Sequence, residues 1–275
     1  MKIGFTLKPK DGNILDFEKQ IENLEKIGAE TAEIPLYELD VICGKKIIQD
    51  ELKLLNKITR NSNLNFSIHG SMSVNLLDKD YLEDHLEVLK REIEVCSDLN
   101  TNILVTHFGH TSVETSKNKK KYVDLINIQK QKYFEMAEIA KVHGVKLCIE
   151  NIFPYTNLHF TALPSEVSDN IREIDHPNAR TTIDFSHAYI NCNLRNKDLT
   201  PEIETMIPFT EHLHVHDSFG KYKTMYTYIF AEDITYGQGD IHLPLGWGNI
   251  PFNEIFSECA FKKDIFFNFE LSQRY

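Results

Sequence analysis

Eight short apolar runs, each followed by a longer amphipathic stretch, recur along the whole chain, and this alternation constrains the fold more than any single motif. The runs KIGFTL, TAEIPLY, LNFSIHG, NILVTHFG, VKLCIEN, ARTTIDFS, HLHVHDS and DIFFNFEL have the length and the β-branched and aromatic content of strands. Between them, ILDFEKQIENLEKIG (ending at Gly28), KIIQDELKLLNKI, YLEDHLEVLKREIEVCSDL and the stretch from Tyr122 to Val142, just before Gly144, repeat apolar residues at helical spacing. PSEVSDNIREI, TPEIETMI and PFNEIFSECAF are shorter helical candidates. Strands and helices in alternation build a parallel sheet from βα units, and eight strands can close it. The expectation is an α/β chain folded as a single (β/α)8 TIM barrel over residues 1–275, since such units run to roughly 250 residues.

Two irregularities carry their own expectations. The segment from Phe219 to Asn249 is too long for an ordinary connection, and loops of that size in compact domains are as a rule lids or site walls. The chain stops at Tyr275, leaving no room for an eighth outer helix, so a homodimer partner or a neighbouring element is expected to cover the apolar surface left there. The basic run SKNKKK at 116–121 reads as a solvated, mobile loop.

Polar residues cluster where the apolar runs end: His69, His107, Glu150, Asp184, His214 and Glu270. A parallel barrel gathers its strand ends on one face, so residues remote in sequence meet there. Strand parity points them inward. Leu147 and Ile149 oppose Cys148 and Glu150, Leu213 and Val215 oppose His212, His214 and His216, and Phe267 and Phe269 oppose Asn268 and Glu270. Any one of these residues reads equally well as a buried polar group satisfied by hydrogen bonds. Several carboxylates and imidazoles in one interior are costly unless cations compensate, so the set reads as ligands for divalent metal. Mixed imidazole and carboxylate ligation suits Zn²⁺ first, with Mn²⁺, Co²⁺ or Fe²⁺ as alternatives, over Ca²⁺.

In D-F-S-H, His187 follows Asp184 on the succeeding turn, and both can face one cavity. His110 bears the same relation to His107 and reads either as support for the ligands or as solvated loop. GDIHLPLGWGNIPF carries Asp240 and His242, a pair that in extended backbone can bite one ion. It also carries Gly246 and Gly248, whose backbone N–H groups beside a helix N-terminus either hold a phosphate or make a plain turn. His216 points inward as a candidate substrate contact, and His212 lies deeper, below the metal level. His85, His143, His159 and His176 read as structural or solvated.

A net charge of −11 works against attraction to nucleic acid, although clustered carboxylates that bind cations inflate it. No apolar run approaches the ~20 residues that span a bilayer, and MKIGFTLKPKDGN has no signal-peptide features, so a cytoplasmic protein with no membrane partner is expected. Five cysteines without CxxC spacing read as free thiols.

In order, GAETAEIPLYELDVI, SIHGSMSVNLLD, VTHFGH, CIEN, IDFSHA, HLHVHDS, GDIHLPLGWGNI and FNFEL resemble the xylose isomerase-like barrel superfamily, which includes sugar phosphate isomerases and epimerases and endonuclease IV. The resemblance runs from Ile3 to Glu270. It implies one ion held by Glu150, Asp184, His214 and Glu270, as in the epimerases and isomerases. It implies further ligands at His69, His107, His187, Asp240 and His242, where endonuclease IV binds three zinc ions, so one to three ions are expected. The DNA-facing loop of endonuclease IV is not evident in EIPLYELDVICGKK, and Trp247 replaces the acidic residue usual between the two glycines.

The leading expectation is a metal-dependent isomerase or epimerase of a small sugar or sugar phosphate, with Glu150 and Glu270 exchanging a proton beside a chelated carbonyl while His187 and His216 steady substrate oxygens. The alternative is a zinc-dependent, endonuclease IV-like hydrolase of abasic DNA, the one reading that needs a nucleic-acid partner. A sensor barrel without turnover is a third, disfavoured by the intact Glu150 and Glu270.

Overall fold

The computed structural model describes residues 1–275. Eight parallel strands close into a barrel: β1 (Lys2–Thr6), β2 (Thr31–Pro35), β3 (Asn65–His69), β4 (Ile103–His107), β5 (Lys146–Glu150), β6 (Ala179–Asp184), β7 (Thr210–Val215) and β8 (Phe266–Phe269). Phe5 of β1 pairs with Ala32 on one side and Phe269 on the other, which seals the cylinder. Seven of the eight strands fall within the runs read from the sequence, and β7 begins two residues before its run HLHVHDS, at Thr210.

Alternation along the strands divides the molecule into two cores. Outward residues such as Ile34, Ile68, Leu104, Leu147, Ile149, Ile183, Leu213 and Val215 are fully buried beneath the helices. The helices meet them with Phe17 of α1 (Asp16–Lys26), Leu55 of α2 (Gln49–Arg60) and Leu89 and Ile93 of α3 (Leu82–Asp98). A fully buried side chain of this kind contributes roughly 1.5–3 kcal/mol, so the hydrophobic stabilisation of the fold comes mainly from this outer shell. Inside the barrel, one small apolar cluster of Ile103, Val105, Cys148 and Phe266 fills the end where the strands begin. The interior above it is left to polar side chains.

The basic run at 116–121 is helical, contrary to expectation. Lys117 closes α4 (Val113–Lys117), and Asn118 caps α5 (Lys119–Val142) by accepting from the Lys121 N–H. The cap and the buried face of α5, including Tyr133 and Met136, outweigh three lysines at the positive end of the helix dipole. After α6 (Pro164–Ile174) comes a second departure: the residues after Asp184 form not a turn but the 11-residue helix α7 (Phe185–Arg195), followed by α8 (Leu199–Met206).

The long segment from Phe219 to Asn249 is folded on itself around α9 (Phe230–Tyr236). The Gly239 N–H donates to Lys221 O at 2.8 Å, and Asp233 accepts from Lys223 and Thr227. A bridge between Asp217 and Leu243 returns the chain to the barrel before α10 (Phe252–Glu258). No helix follows β8. The outer faces of β1 and β8 are incompletely covered there, with Ile3 47% exposed, Phe267 half-buried, and Phe5 and Phe269 half-buried beside a cavity of about 530 Å³. The five cysteines are free, and no helix is long and apolar enough to cross a membrane.

Candidate metal centre

At the end of the barrel where the strands finish, Glu150 is the hub. Its Oε1 lies 3.1 Å from His214 Nδ1 and 3.2 Å from His187 Nδ1, while its Oε2 lies 3.4 Å from His69 Nε2 and 3.6 Å from His107 Nε2. His214 Nδ1 also faces Glu270 Oε2 at 3.5 Å and Asp184 Oδ2 at 3.9 Å. The tertiary fold thus brings Glu150, Asp184, His214 and Glu270 around one imidazole nitrogen, and all four are buried.

The local sequence explains how Asp184 and His187 are placed. Asp184 ends β6 and is the N-cap of α7, its Oδ1 accepting from the His187 N–H at 2.7 Å. This fixes His187 on the first helical turn, with Nε2 3.3 Å from Asp240 Oδ2. The other oxygen of Asp184 accepts from His216 Nε2 at 3.0 Å. Asp240 is held further by Ser186 Oγ at 2.8 Å and by His242 Nε2 at 2.6 Å.

His242 is not in extended backbone, as an Asp-x-His bite would require. Its φ of 46° lies in the left-handed region, a conformation that costs a non-glycine residue of order 1–3 kcal/mol. The reward is a ring stacked on His216, with centroids 4.0 Å apart. His216 is therefore enclosed between Asp184 and His242.

The hydrogen bonds also fix which nitrogen each histidine offers. His69, His187 and His242 direct Nδ1 at the backbone carbonyls of Gly70, Asn151 and Glu270, at 2.9, 3.0 and 2.6 Å. A carbonyl only accepts, so Nδ1 carries the proton, and Nε2 faces Glu150 from His69 and Asp240 from His187 and His242, although His187 Nδ1 also lies beside Glu150. His214 is the reverse: Nε2 faces Glu33, and Nδ1 faces the mouth.

The electrostatics are those of positive charge shared among buried acids. Burial pushes the Glu150 carboxyl up, yet His214, His187 and His69 outweigh it and hold the group well below its usual range. Asp240 is likewise pulled well below its range, burial being overcome by His242, His216 and His187. Burial works against the imidazolium of His214, but Glu33, Glu270 and Glu150 raise it well above its ordinary value. Burial lowers His107 to about 4, only partly offset by Glu150.

The donor set fits a divalent cation. Glu150 Oε2 and His107 Nδ1 are buried without hydrogen-bond partners. Ligand atoms also fall within 4.8 Å of one another in the groups His69–His107–Glu150, Glu150–Asp184–His187, His69–His214–Glu270 and His216–His242–Glu270. Every residue expected to bind metal lies in one of these groups except Asp240, which faces three of their histidines, His187, His216 and His242.

Gly246 and Gly248 do not offer a phosphate site. Their N–H groups both donate to Asp217 Oδ2 at 2.9 Å, and the Ile250 N–H reaches Oδ1. A Cβ at Gly248 would lie 2.4 Å from Asp217 Oδ1, so the glycine permits the loop to wrap this carboxylate. His110 stands apart from the ligand groups, packed against His159 and Tyr155. His212 lies one strand step before His214, 3.2 Å from Ser67 Oγ, and its Nε2 is 3.3 Å from Glu33 Oε2.

Three residues escaped the sequence reading. Glu33 sits mid-strand, and only its charge within TAEIP marked it. Asn151 clamps the end of β6, its side chain accepting from the Asp184 N–H at 3.0 Å and donating to the Asp184 carbonyl at 2.9 Å. Tyr37 meets the His69 ring edge-on at 5.1 Å, and its phenol is pushed up by burial and then by Glu270.

The family described as xylose isomerase-like TIM barrel matches residues 21–272. The 3-dehydroshikimate dehydratase of Bacillus anthracis is 24% identical over 187 residues, covering 65% of this chain and 62% of that protein, so less than two thirds of that relative's length is spanned. A D-tagatose 3-epimerase-like protein has a TM-score of 0.69 at 19% identity, over 98% of this chain and 91% of its own. The 3-keto-D-glucoside 4-epimerase of E. coli has a TM-score of 0.65 at 13% identity, over 100% and 94%. These two likenesses are of fold.

Proposed function

The chain belongs to the xylose isomerase-like TIM barrel family, and from that premise we propose that it is a divalent-metal-dependent isomerase or epimerase of a small sugar or sugar phosphate. The observation that carries the proposal is the convergence of Glu150, Glu270 and Asp184 on the Nδ1 of His214. These four residues would hold one ion, Zn²⁺ being the best match to the donors and Mn²⁺, Co²⁺ or Fe²⁺ the alternatives. When bound, the ion supplies Lewis-acid polarisation of a hydroxy-carbonyl group, which acidifies the neighbouring C–H.

The side chains do the rest. Glu150 and Glu270 stand on walls separated by β6 and β7, so they meet a substrate in the mouth from different sides. One removes the proton beside the carbonyl and the other returns one, on the opposite face in epimerisation. Both are held ionised at neutral pH, the state a base needs. Burial works against the His187 imidazolium, but Asp184 and Asp240 favour it, so its Nε2 would donate to the substrate oxygens on which negative charge develops; His216, enclosed with its Nε2 on Asp184, would orient that ligand instead. Dehydration of a hydroxy ketone starts with the same proton removal, which accommodates the relation to a 3-dehydroshikimate dehydratase.

The test is solvent-deuterium incorporation by metal-reconstituted protein across ketoses, their phosphates and 3-dehydroshikimate. Label at one carbon is expected. It should disappear in Glu270→Gln wherever metal analysis shows the ion retained. The absence of label from every carbonyl compound would defeat the proposal. A second reading, phosphodiester hydrolysis at abasic DNA, draws support from the additional groups around His69, His107, His187, Asp240 and His242. Three zinc ions per chain together with incision of an abasic duplex would establish it instead.

A further inference from the structure

Beneath the candidate metal ligands, Glu33 is surrounded by four side-chain donors. Its Oε1 accepts from Thr6 Oγ1 at 3.0 Å and Asn268 Nδ2 at 3.2 Å. His214 Nε2 lies 3.1 and 3.0 Å from its two oxygens, and His212 Nε2 lies 3.3 Å from Oε2. Asn268 in turn donates to Thr6 Oγ1 at 2.7 Å, so the supporting groups are themselves fixed. Glu33, His212 and His214 are all 0% exposed.

We propose that Glu33 is a positioning residue that selects Nδ1 of His214 as its coordinating atom and holds the ring toward Glu150, Asp184 and Glu270. This rests on the metal-centre reading above. The contrast with the other histidines carries the argument. His69, His187 and His242 turn Nε2 to the site because a backbone carbonyl is close enough to hold Nδ1. His214 lies within β7, where carbonyls are committed to the parallel ladder, so only a side chain from across the interior can fix its ring.

A carboxylate does more than a carbonyl here. It fixes the Nε2–H tautomer and makes the opposite nitrogen a stronger donor to metal. A metal ion at Glu33–His212–His214 is the competing arrangement, since their ligand atoms also lie close together. It is disfavoured because both Glu33 oxygens already accept hydrogen bonds, and Thr6, Asn268 and His214 would each lose one.

The experiment is Zn²⁺ affinity by chelator competition on the purified apo full chain, wild type against Glu33→Gln, with urea unfolding of both apo proteins alongside. A loss of about 10–100-fold in affinity per folded protein is expected in Glu33→Gln. A purely structural role would lower apo stability and leave the affinity within twofold, and that result overturns the proposal. Wild-type protein that binds no Zn²⁺ removes the metal centre and this proposal with it, so the two failures are distinguishable. Should Glu33→Gln not fold, long-range ¹H–¹⁵N NMR of zinc-loaded wild type decides: His214 protonated at Nε2 upholds the proposal, and protonation at Nδ1 overturns it.

Discussion

Glu92 of α3 carries a carboxyl whose protonated form its surroundings favour. One oxygen accepts from the Ser71 N–H, the other is buried without a partner, and the residue is 1% exposed behind Gly70. Burial raises it to about 7, against the opposing pull of the Ser71 N–H and His69. A folded pKa above the unfolded value means that the favourable contribution is complete below about 4.5 and is lost as pH rises through about 7. Glu92→Gln keeps the acceptor for Ser71 and cannot ionise. Its stability relative to wild type should therefore improve by about 3 kcal/mol between pH 4.5 and 8, at 1.36 kcal/mol per pKa unit, as read from urea melts at both pH values. A difference that does not change with pH would contradict this placement of the charge. Glu92 was invisible in the sequence because YLEDHLEVLKREIEVCSDL has acids on every face, and only packing shows which one turns inward.

At the scale of elements, the candidate site depends on how neighbouring strands end together. The register pairs Thr182 with Glu150, and Asn151 bonds both backbone groups of Asp184. Asn151→Ala orphans the buried Asp184 N–H, while the Asp184 carbonyl keeps the first bond of α7, so a loss of about 1–3 kcal/mol of apo stability is expected from urea melts. Zn²⁺ affinity should fall as well, because Glu150 and Asp184 lose their common clamp. All eight strands were legible because period-two apolar runs are a local signal. Helix α7 was not, because Asp184 served equally well as a strand-end ligand and as the N-cap of the following helix. The turn around Gly246 and Gly248 was equally ambiguous. Its backbone donors answer to Asp217, some 30 residues earlier in the chain.

For the whole molecule, the proposed metal centre would make metal and protons compete for one interior. The His242 pKa is raised to about 9, Asp240 and Glu270 overcoming the effect of burial. Without metal this interaction contributes fully below about pH 6.5, the ordinary histidine value, and is lost as pH rises through about 9. Metal binding requires the opposite protonation state, so it releases protons and strengthens as pH rises. Calorimetric melts with and without Zn²⁺ should show a Tm gain that is small at pH 6 and larger at pH 8.5. Zinc at a hundredfold excess over its Kd would add about 2.7 kcal/mol. A gain independent of pH would count against His214, His187 and His242 as ligands.

Read by itself, the sequence determined the eight strands, the closed barrel, the inward faces of β5, β7 and β8 and the residues that gather where the strands finish. These follow from periodicity and parity, which are carried by neighbouring residues. Only the tertiary structure decided that Glu150 is the hub, that His214 presents Nδ1 while three other histidines present Nε2, and that Glu33 stands behind that choice. The physical reason is distance along the chain. His214 and Glu33 are separated by 181 residues, and their contact exists only because barrel closure turns both strands toward the same axis.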